Sequence, residues 1–115
     1  MQVEFVNGAI GTMHVTRWAT GYINTLSLLV CGTKGALRIN LDRSTDKLEL
    51  SLGKDLLAGK WKEVACPKTT SNAVRFIKSI KTGINAQPDF QTGAKAQRVL
   101  DACFESHETG RWAKV

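Results

Sequence analysis

The sequence predicts an α+β fold: an open, predominantly antiparallel β-sheet with two helices packed on one face. Three observations point to it. Residues 2–66 carry period-two alternation and one short apolar run, both strand signals. Residues 73–80 and 96–107 carry single apolar stripes at helical spacing. The two patterns are segregated along the chain instead of alternating, which argues against a parallel βαβ sheet.

The elements follow in order. Val3 and Phe5 alternate with Gln2 and Glu4, predicting a strand. Asn7-Gly8 signals a hairpin, because both residues tolerate positive φ. A second strand is predicted over about Thr12–Trp18, with Met13, Val15 and Arg17 on one face and Thr12, His14, Thr16 and Trp18 on the other. Residues 19–24 form a loop around Gly21. The apolar run Leu26–Cys31 is too short for an ordinary helix and predicts a central, well-covered strand. Gly32-Thr33-Lys34-Gly35 is a tight turn. Leu37, Ile39 and Leu41, then Leu48, Leu50 and Leu52, alternate with polar residues and predict two strands joined by a polar turn over 42–46. Residues 53–60 are expected to be loop, and Trp61–Cys66 a last strand.

Ser71 is a candidate N-cap for a helix reaching about Thr82, with Ala73, Phe76, Ile77 and Ile80 as its stripe and Gly83 as its stop. Asp89 is the candidate cap of the second helix. Its stripe is Ala96, Val99, Leu100, Cys103, Phe104 and His107, and Gly110 ends it. Arg111–Val115 then predicts a short terminal strand.

A length of 115 residues suits one domain, 1–115. At 43% hydrophobic and 23% charged, the balance is that of a globular chain, not a disordered one. No apolar run approaches the roughly 18 residues that span a bilayer, and the N-terminus lacks the basic and apolar regions of a secretory signal. No membrane association is expected. The chain begins directly in strand-like alternation, as a segment excised from something longer would. The net charge of +6 is dispersed from Arg17 to Lys114 with no run of four cations, so specific nucleic-acid binding is not expected. Cys31, Cys66 and Cys103 have neither zinc-like nor redox spacing. Cys31 and Cys103 read as small core residues, and a reduced, cytoplasmic compartment fits them.

The chain carries no complete catalytic motif. Gly8-Ala9-Ile10-Gly11 lies in a hairpin and Gly32 and Gly35 in a second turn, whereas a dinucleotide loop joins a strand to a helix. His14 and His107 have no metal partners by spacing. His107, at the end of an apolar stripe, reads as a packed core histidine. His14, beside Arg17 and Trp18, is more often a surface or interface residue than a catalytic one. No catalytic, cofactor-binding or metal-binding residue is assigned. Arg17, Trp18, Tyr22 and Asn24, with His14, are the best polar constellation for a substrate. An arginine, two aromatic rings and an amide can hold a sugar by hydrogen bonds and stacking. The same residue types are enriched at protein–protein contacts, and the two readings stand level. Trp61 and Trp112 read as packing residues at strand ends.

The run from Phe5 to Arg43, FVNGAIGTMHVTRWATGYINTLSLLVCGTKGALRINLDR, resembles the sheet of the C-terminal domain in the glucose–fructose oxidoreductase, inositol dehydrogenase and MocA family. The matching features are the hairpin at Asn7–Gly11, a strand ending at Arg17, and a strand closed by Gly32–Leu37. The tail from Arg75 to Val115 is similar to the family's closing helices and last strand. The resemblance implies an NAD- or NADP-dependent oxidoreductase acting on a sugar, polyol or related compound. It implies that this chain forms a late part of the substrate and oligomerisation domain. The N-terminal Rossmann domain, with its glycine fingerprint and lysine, has no counterpart in these residues. Nor has the early part of the C-terminal domain, with its Asp and His pair. Two functions are therefore weighed. One is the substrate-side and oligomerisation domain of an oxidoreductase, itself inactive and binding no cofactor, with homo-oligomer contacts through the open sheet face. The other is a stand-alone module that self-associates or binds through that sheet. The His14, Thr16 and Trp18 row is expected to mark the uncovered face.

Overall fold

The computed structural model describes residues 1–115. It contains antiparallel sheets and helices, the α+β class expected, and the larger sheet is open. The chain divides into two compact units, residues 16–69 and residues 1–15 with 70–115.

The first unit is a four-stranded antiparallel sheet in the order β3 (Ser27–Gly32), β4 (Gly35–Asn40), β5 (Lys47–Leu52), β6 (Lys62–Ala65). Its register pairs Leu28 with Ile39, Val30 with Leu37, Leu37 with Leu50, Leu48 with Val64, and Arg38 with Glu49. Directly opposed residues share a face, and successive residues alternate. One face is therefore apolar, with Leu28, Val30, Leu37, Ile39, Leu48, Leu50, Leu52 and Val64. The other carries Arg38, Lys47, Glu49, Ser51 and Glu63. Ser51, the most buried residue of the chain, lies on the charged face.

The turn Thr33-Lys34 joins β3 to β4 without positive φ at Gly32 or Gly35. Gly35 instead gives Leu52 room to lie across it. A Cβ there would run into Cδ2 of Leu52 and stand 3.1 Å from the Ser51 carbonyl oxygen. The turn to β5 closes on Asn40, whose side-chain oxygen accepts from the Asp42 amide at 2.9 Å. Thr25 ties the start of the sheet to that turn by donating to Asp42 at 2.6 Å.

Three expectations for residues 12–60 are corrected. The Leu26–Cys31 run is an edge strand, not a central one, and it is exposed along its length, Cys31 included. Apolar residues on both faces of a strand record a need for cover; they do not place the strand in the middle of a sheet. Residues 53–60 are not all loop: Lys54–Leu57 make a one-turn helix, α1, against β5. Gly53, at φ +55°, turns the chain into it, and the Lys60 amide closes back on the Asp55 carbonyl at 2.9 Å. The predicted strand Thr12–Trp18 ends at Thr12, and residues 13–26 make no strand. Alternation alone gives no strand where no neighbour offers a ladder.

The second unit holds the N-terminal hairpin, β1 (Gln2–Glu4) with β2 (Ile10–Thr12), and two longer helices, α2 (Asn72–Thr82) and α3 (Phe90–Thr109). The helices expected to cover a sheet thus belong to a different unit from the four-stranded sheet. The hairpin loop is Val6-Asn7-Gly8. The Gly8 amide donates to the Phe5 carbonyl and the Phe5 amide to the Ala9 carbonyl, both at 2.8 Å. The hairpin expected at Asn7-Gly8 forms, with positive φ, +81°, at Gly8 alone of the two. This is a three-residue hairpin, with a turn followed by one left-handed glycine, in place of a two-residue loop.

Both predicted caps hold. The Ser71 hydroxyl accepts from the Val74 amide at 3.4 Å, and Asp89 accepts from the Thr92 amide at 2.8 Å. Gly83 and Gly110 end their helices at φ +68° and +66°. Ser79 fastens the connection after α2, accepting from the Ala86 amide at 3.0 Å.

On α3 the covered stripe is Val99, Ala102, Cys103 and Ser106, rotated from the predicted one. Phe104 is 68% exposed and His107 is exposed, so His107 is not a core residue. The Cys103 sulfur meets the Met1 sulfur, which brings the start of the chain to the covered side of α3. Arg111–Val115 form no strand, since no strand pairs with them. No hydrophobic residue is fully buried in either unit.

Asp89 yields a pH prediction. Its carboxylate is held below the usual range by the Thr92 amide, then by the Thr92 hydroxyl and the Gln87 amide. A depressed folded-state pKa contributes stability above the ordinary carboxylate pKa, which is lost as pH falls through the folded value. Hydrogen exchange at the Thr92 amide is expected to accelerate as pH drops below the usual aspartate range, after correction for intrinsic rates. Asp89→Asn, which still accepts from that amide, is expected to remove the pH dependence.

Candidate functional site

The five residues read from the sequence as a substrate constellation do not lie on a strand. His14 sits just after β2, in the unit of the hairpin. Arg17, Trp18, Tyr22 and Asn24 lie in the irregular segment before β3, in the unit of the four-stranded sheet. Two local turns shape that segment. The Thr16 hydroxyl accepts from the Trp18 amide at 3.0 Å and donates to the Trp18 carbonyl at 3.1 Å. The Tyr22 amide donates to the Ala19 carbonyl at 3.1 Å beside Gly21, at φ +87°. All five side chains are exposed, Trp18 at 89%. They are available for ring stacking and for hydrogen bonds to hydroxyls, and no ion pair involves Arg17.

The structure assembles a second polar constellation, which the sequence reading missed, on the charged face of the four-stranded sheet. Arg38 reaches Glu49 through two bonds, Nε to Oε2 at 2.6 Å and Nη2 to Oε1 at 2.8 Å. Its guanidinium lies over the Trp61 ring, 4.3 Å from the centroid. Arg43 approaches Glu49 at 3.8 Å, and Lys47 pairs with Glu63 at 3.0 Å. A shallow hollow opens among Arg38, Asn40, Arg43, Lys47, Glu49 and Glu63. At the end of β6, Lys62 meets the largely buried Asp55 at 2.8 Å. The planar guanidinium suits both the paired carboxylate and the indole face. Trp61, read as a packing residue, does pack, under a cation. The signal was present: Arg38 and Glu49 are both polar positions of alternating strands. Joining them needs the register, and one sequence leaves that open. The arrangement is an ion-pair ladder in which Arg38 and Arg43 share Glu49, leaving one positive charge in excess.

In the other unit, Gln2, Ser106, His107, Arg111 and Trp112 line an open hollow at the end of α3. Trp112 is 69% exposed, so it is not the strand-end packing residue expected. His107 and Arg111 stand at the carbonyl end of the helix, where positive charge is favourable.

A nicotinamide dinucleotide does not fit these residues. Its pyrophosphate needs a glycine loop that leads from a strand into a helix N-terminus. Here Gly8 and Gly11 belong to a β-hairpin, and Gly32 and Gly35 flank the β3–β4 turn. The N-terminus of α3 is occupied by the Asp89 carboxylate, which would repel a phosphate. No helix is long and apolar enough to cross a membrane.

Glu49 is held below the usual carboxylate range by its bonds from Arg38, and next by the Arg38 and Arg43 charges. Arg38→Met is expected to raise the Glu49 pKa towards the ordinary glutamate value, read by NMR titration of its side-chain carboxyl. Lys47 and Glu63 are expected to keep their pairing.

Comparison with known proteins follows the fold. The family described as "Oxidoreductase family, C-terminal alpha/beta domain" matches residues 1–115. Levoglucosan dehydrogenase of Pseudarthrobacter phenanthrenivorans is 26% identical over 135 aligned residues, covering 98% of this chain and 34% of that protein. The chain thus spans about a third of the length of that curated relative. No solved structure matches significantly. With the family profile running over all 115 residues, the chain belongs to the glucose–fructose oxidoreductase, inositol dehydrogenase and MocA family, as its C-terminal α/β domain.

Proposed function

We propose that this chain is the substrate-side and oligomerisation domain of an NAD- or NADP-dependent oxidoreductase of the cytoplasm, acting on a sugar, polyol or related compound. The observation that carries the reading is the match of the family's C-terminal domain to the whole chain. The similarity to a levoglucosan dehydrogenase supports a sugar-like substrate. In this reading Arg17, Trp18, Tyr22 and Asn24 offer the substrate rings for stacking, and a guanidinium and an amide for hydroxyls, while His14 is a separate candidate in the other unit. The nucleotide domain supplies the cofactor and the hydride-site lysine, and this chain alone is inactive. Calorimetric titration of NAD(H) or NADP(H) into the 115-residue chain is expected to give no saturable heat in the micromolar range. Saturable binding there would overturn the division of labour.

A second reading, a stand-alone self-association module, is favoured by one observation, an apolar face of the four-stranded sheet that its own unit does not cover. Leu28 and Leu52 on that face are each 53% exposed. Both readings propose homo-oligomer contacts through the open sheet. The face that carries them is the one with Leu28, Val30 and Leu52. The His14, Thr16 and Trp18 row is not on a strand and no longer marks it. A stable two-fold contact would bury more than roughly 1,000 Å² in total. Light scattering is expected to show a dimer or larger assembly at tens of micromolar, approximately the range for a modest interface. Leu28→Glu with Leu52→Glu is expected to shift it to monomer, whereas Trp18→Glu is expected to have the smaller effect.

A further inference from the structure

Asn7 is followed by Gly8. The other four asparagines, Asn24, Asn40, Asn72 and Asn85, precede Thr25, Leu41, Ala73 and Ala86. The peptide nitrogen after an asparagine can attack the side-chain amide carbon and close a five-membered imide. A following side chain hinders that approach, and glycine has none. Asn7 and Gly8 are both exposed at the hairpin tip, and no heavy atom lies within 4 Å of where a Gly8 Cβ would stand. Sterically, nothing obstructs the reaction.

Two hydrogen bonds oppose it. The Gly8 N–H, which must lose its proton to become the nucleophile, donates to the Phe5 carbonyl at 2.8 Å. The Asn7 side-chain oxygen accepts from the Ala9 amide at 3.1 Å, which fixes the side-chain amide within the turn. We propose that Asn7 is a spontaneous deamidation site gated by the hairpin. While the turn is closed, its hydrogen bonds withhold the nucleophile and hold the electrophile. When the hairpin frays, the reaction proceeds. Hydroxide takes the Gly8 amide proton, the Gly8 nitrogen bonds to Asn7 Cγ, and the Cγ–Nδ2 bond breaks. Ammonia leaves after taking a proton from water. Water then opens the imide. Cleavage of the bond to Cγ leaves aspartate; cleavage of the bond to the backbone carbonyl carbon leaves isoaspartate. One water enters and one ammonia leaves, with no electron gained or lost.

The two products act differently on the fold. Aspartate keeps an oxygen that accepts from the Ala9 amide. Isoaspartate lengthens the main chain of the three-residue loop by one methylene, and the pairing of Val3 with Gly11 no longer closes from that loop.

The test ages the 115-residue protein in mildly alkaline buffer, with and without urea, and maps the peptides by mass spectrometry. A gain of one mass unit is expected first on the peptide containing Asn7, several-fold faster in urea. The other four asparagines are the internal controls. The isoaspartyl fraction is expected to lose amide protection in β1 and β2, while Asn7→Asp retains it. Earlier conversion at another asparagine, equal rates with and without urea, or intact hairpin protection in the isoaspartyl fraction would each overturn the proposal.

Discussion

Everything in the four-stranded unit depends on one register. Pairing Leu37 with Leu50 and Arg38 with Glu49 sorts the side chains of four strands in a single step. Because the strand period is two, a slip of one residue would send the leucines among the charges. Two local devices defend the register. Gly35 leaves room for Leu52 to lie across it, and the guanidinium of Arg38 is gripped by Glu49 on one side and Trp61 on the other. The ion pairs are solvent-facing and add little stability by themselves. Their consequence is specificity, since the opposed charges meet only in this alignment.

The same sorting creates an apolar face that the unit does not itself cover. The exposed leucines of β3 and β5 and the exposed Phe104 of α3 record the same condition, apolar surface without cover. Removing such surface from water is the main favourable term in folding and association. Contact with another domain or copy, as proposed above, would remove that surface from water.

The proposed substrate residues occupy a long stretch without helix or strand, residues 13–26. Freed from strand alternation, Arg17, Trp18 and Tyr22 are aimed by short turns and not by a pleat. That is a common division: regular elements provide a frame, and irregular segments present the recognising groups. On the charged face of the sheet, by contrast, Arg38 and Lys47 are each paired with a carboxylate of a neighbouring strand.

Local features of the fold were legible in the sequence. The caps at Ser71 and Asp89, the stops at Gly83 and Gly110 and the hairpin at Asn7-Gly8 each depend on a few adjacent residues, so their chemistry is written in order along the chain. The strands Gly35–Asn40 and Lys47–Leu52 were legible for the same reason, as alternation shows directly which faces differ. The family was legible too, from two blocks in the right order. What only the tertiary structure decided is who pairs with whom. It made the apolar run of β3 an edge strand, ended β2 at Thr12, denied Arg111–Val115 a partner and turned the covered side of α3 towards Ala102 and Ser106. It also brought Arg38, Glu49 and Trp61 together. A strand exists only beside another strand, and a buried face only against a neighbour. Both are relations between residues distant in sequence, which periodicity within one segment does not contain.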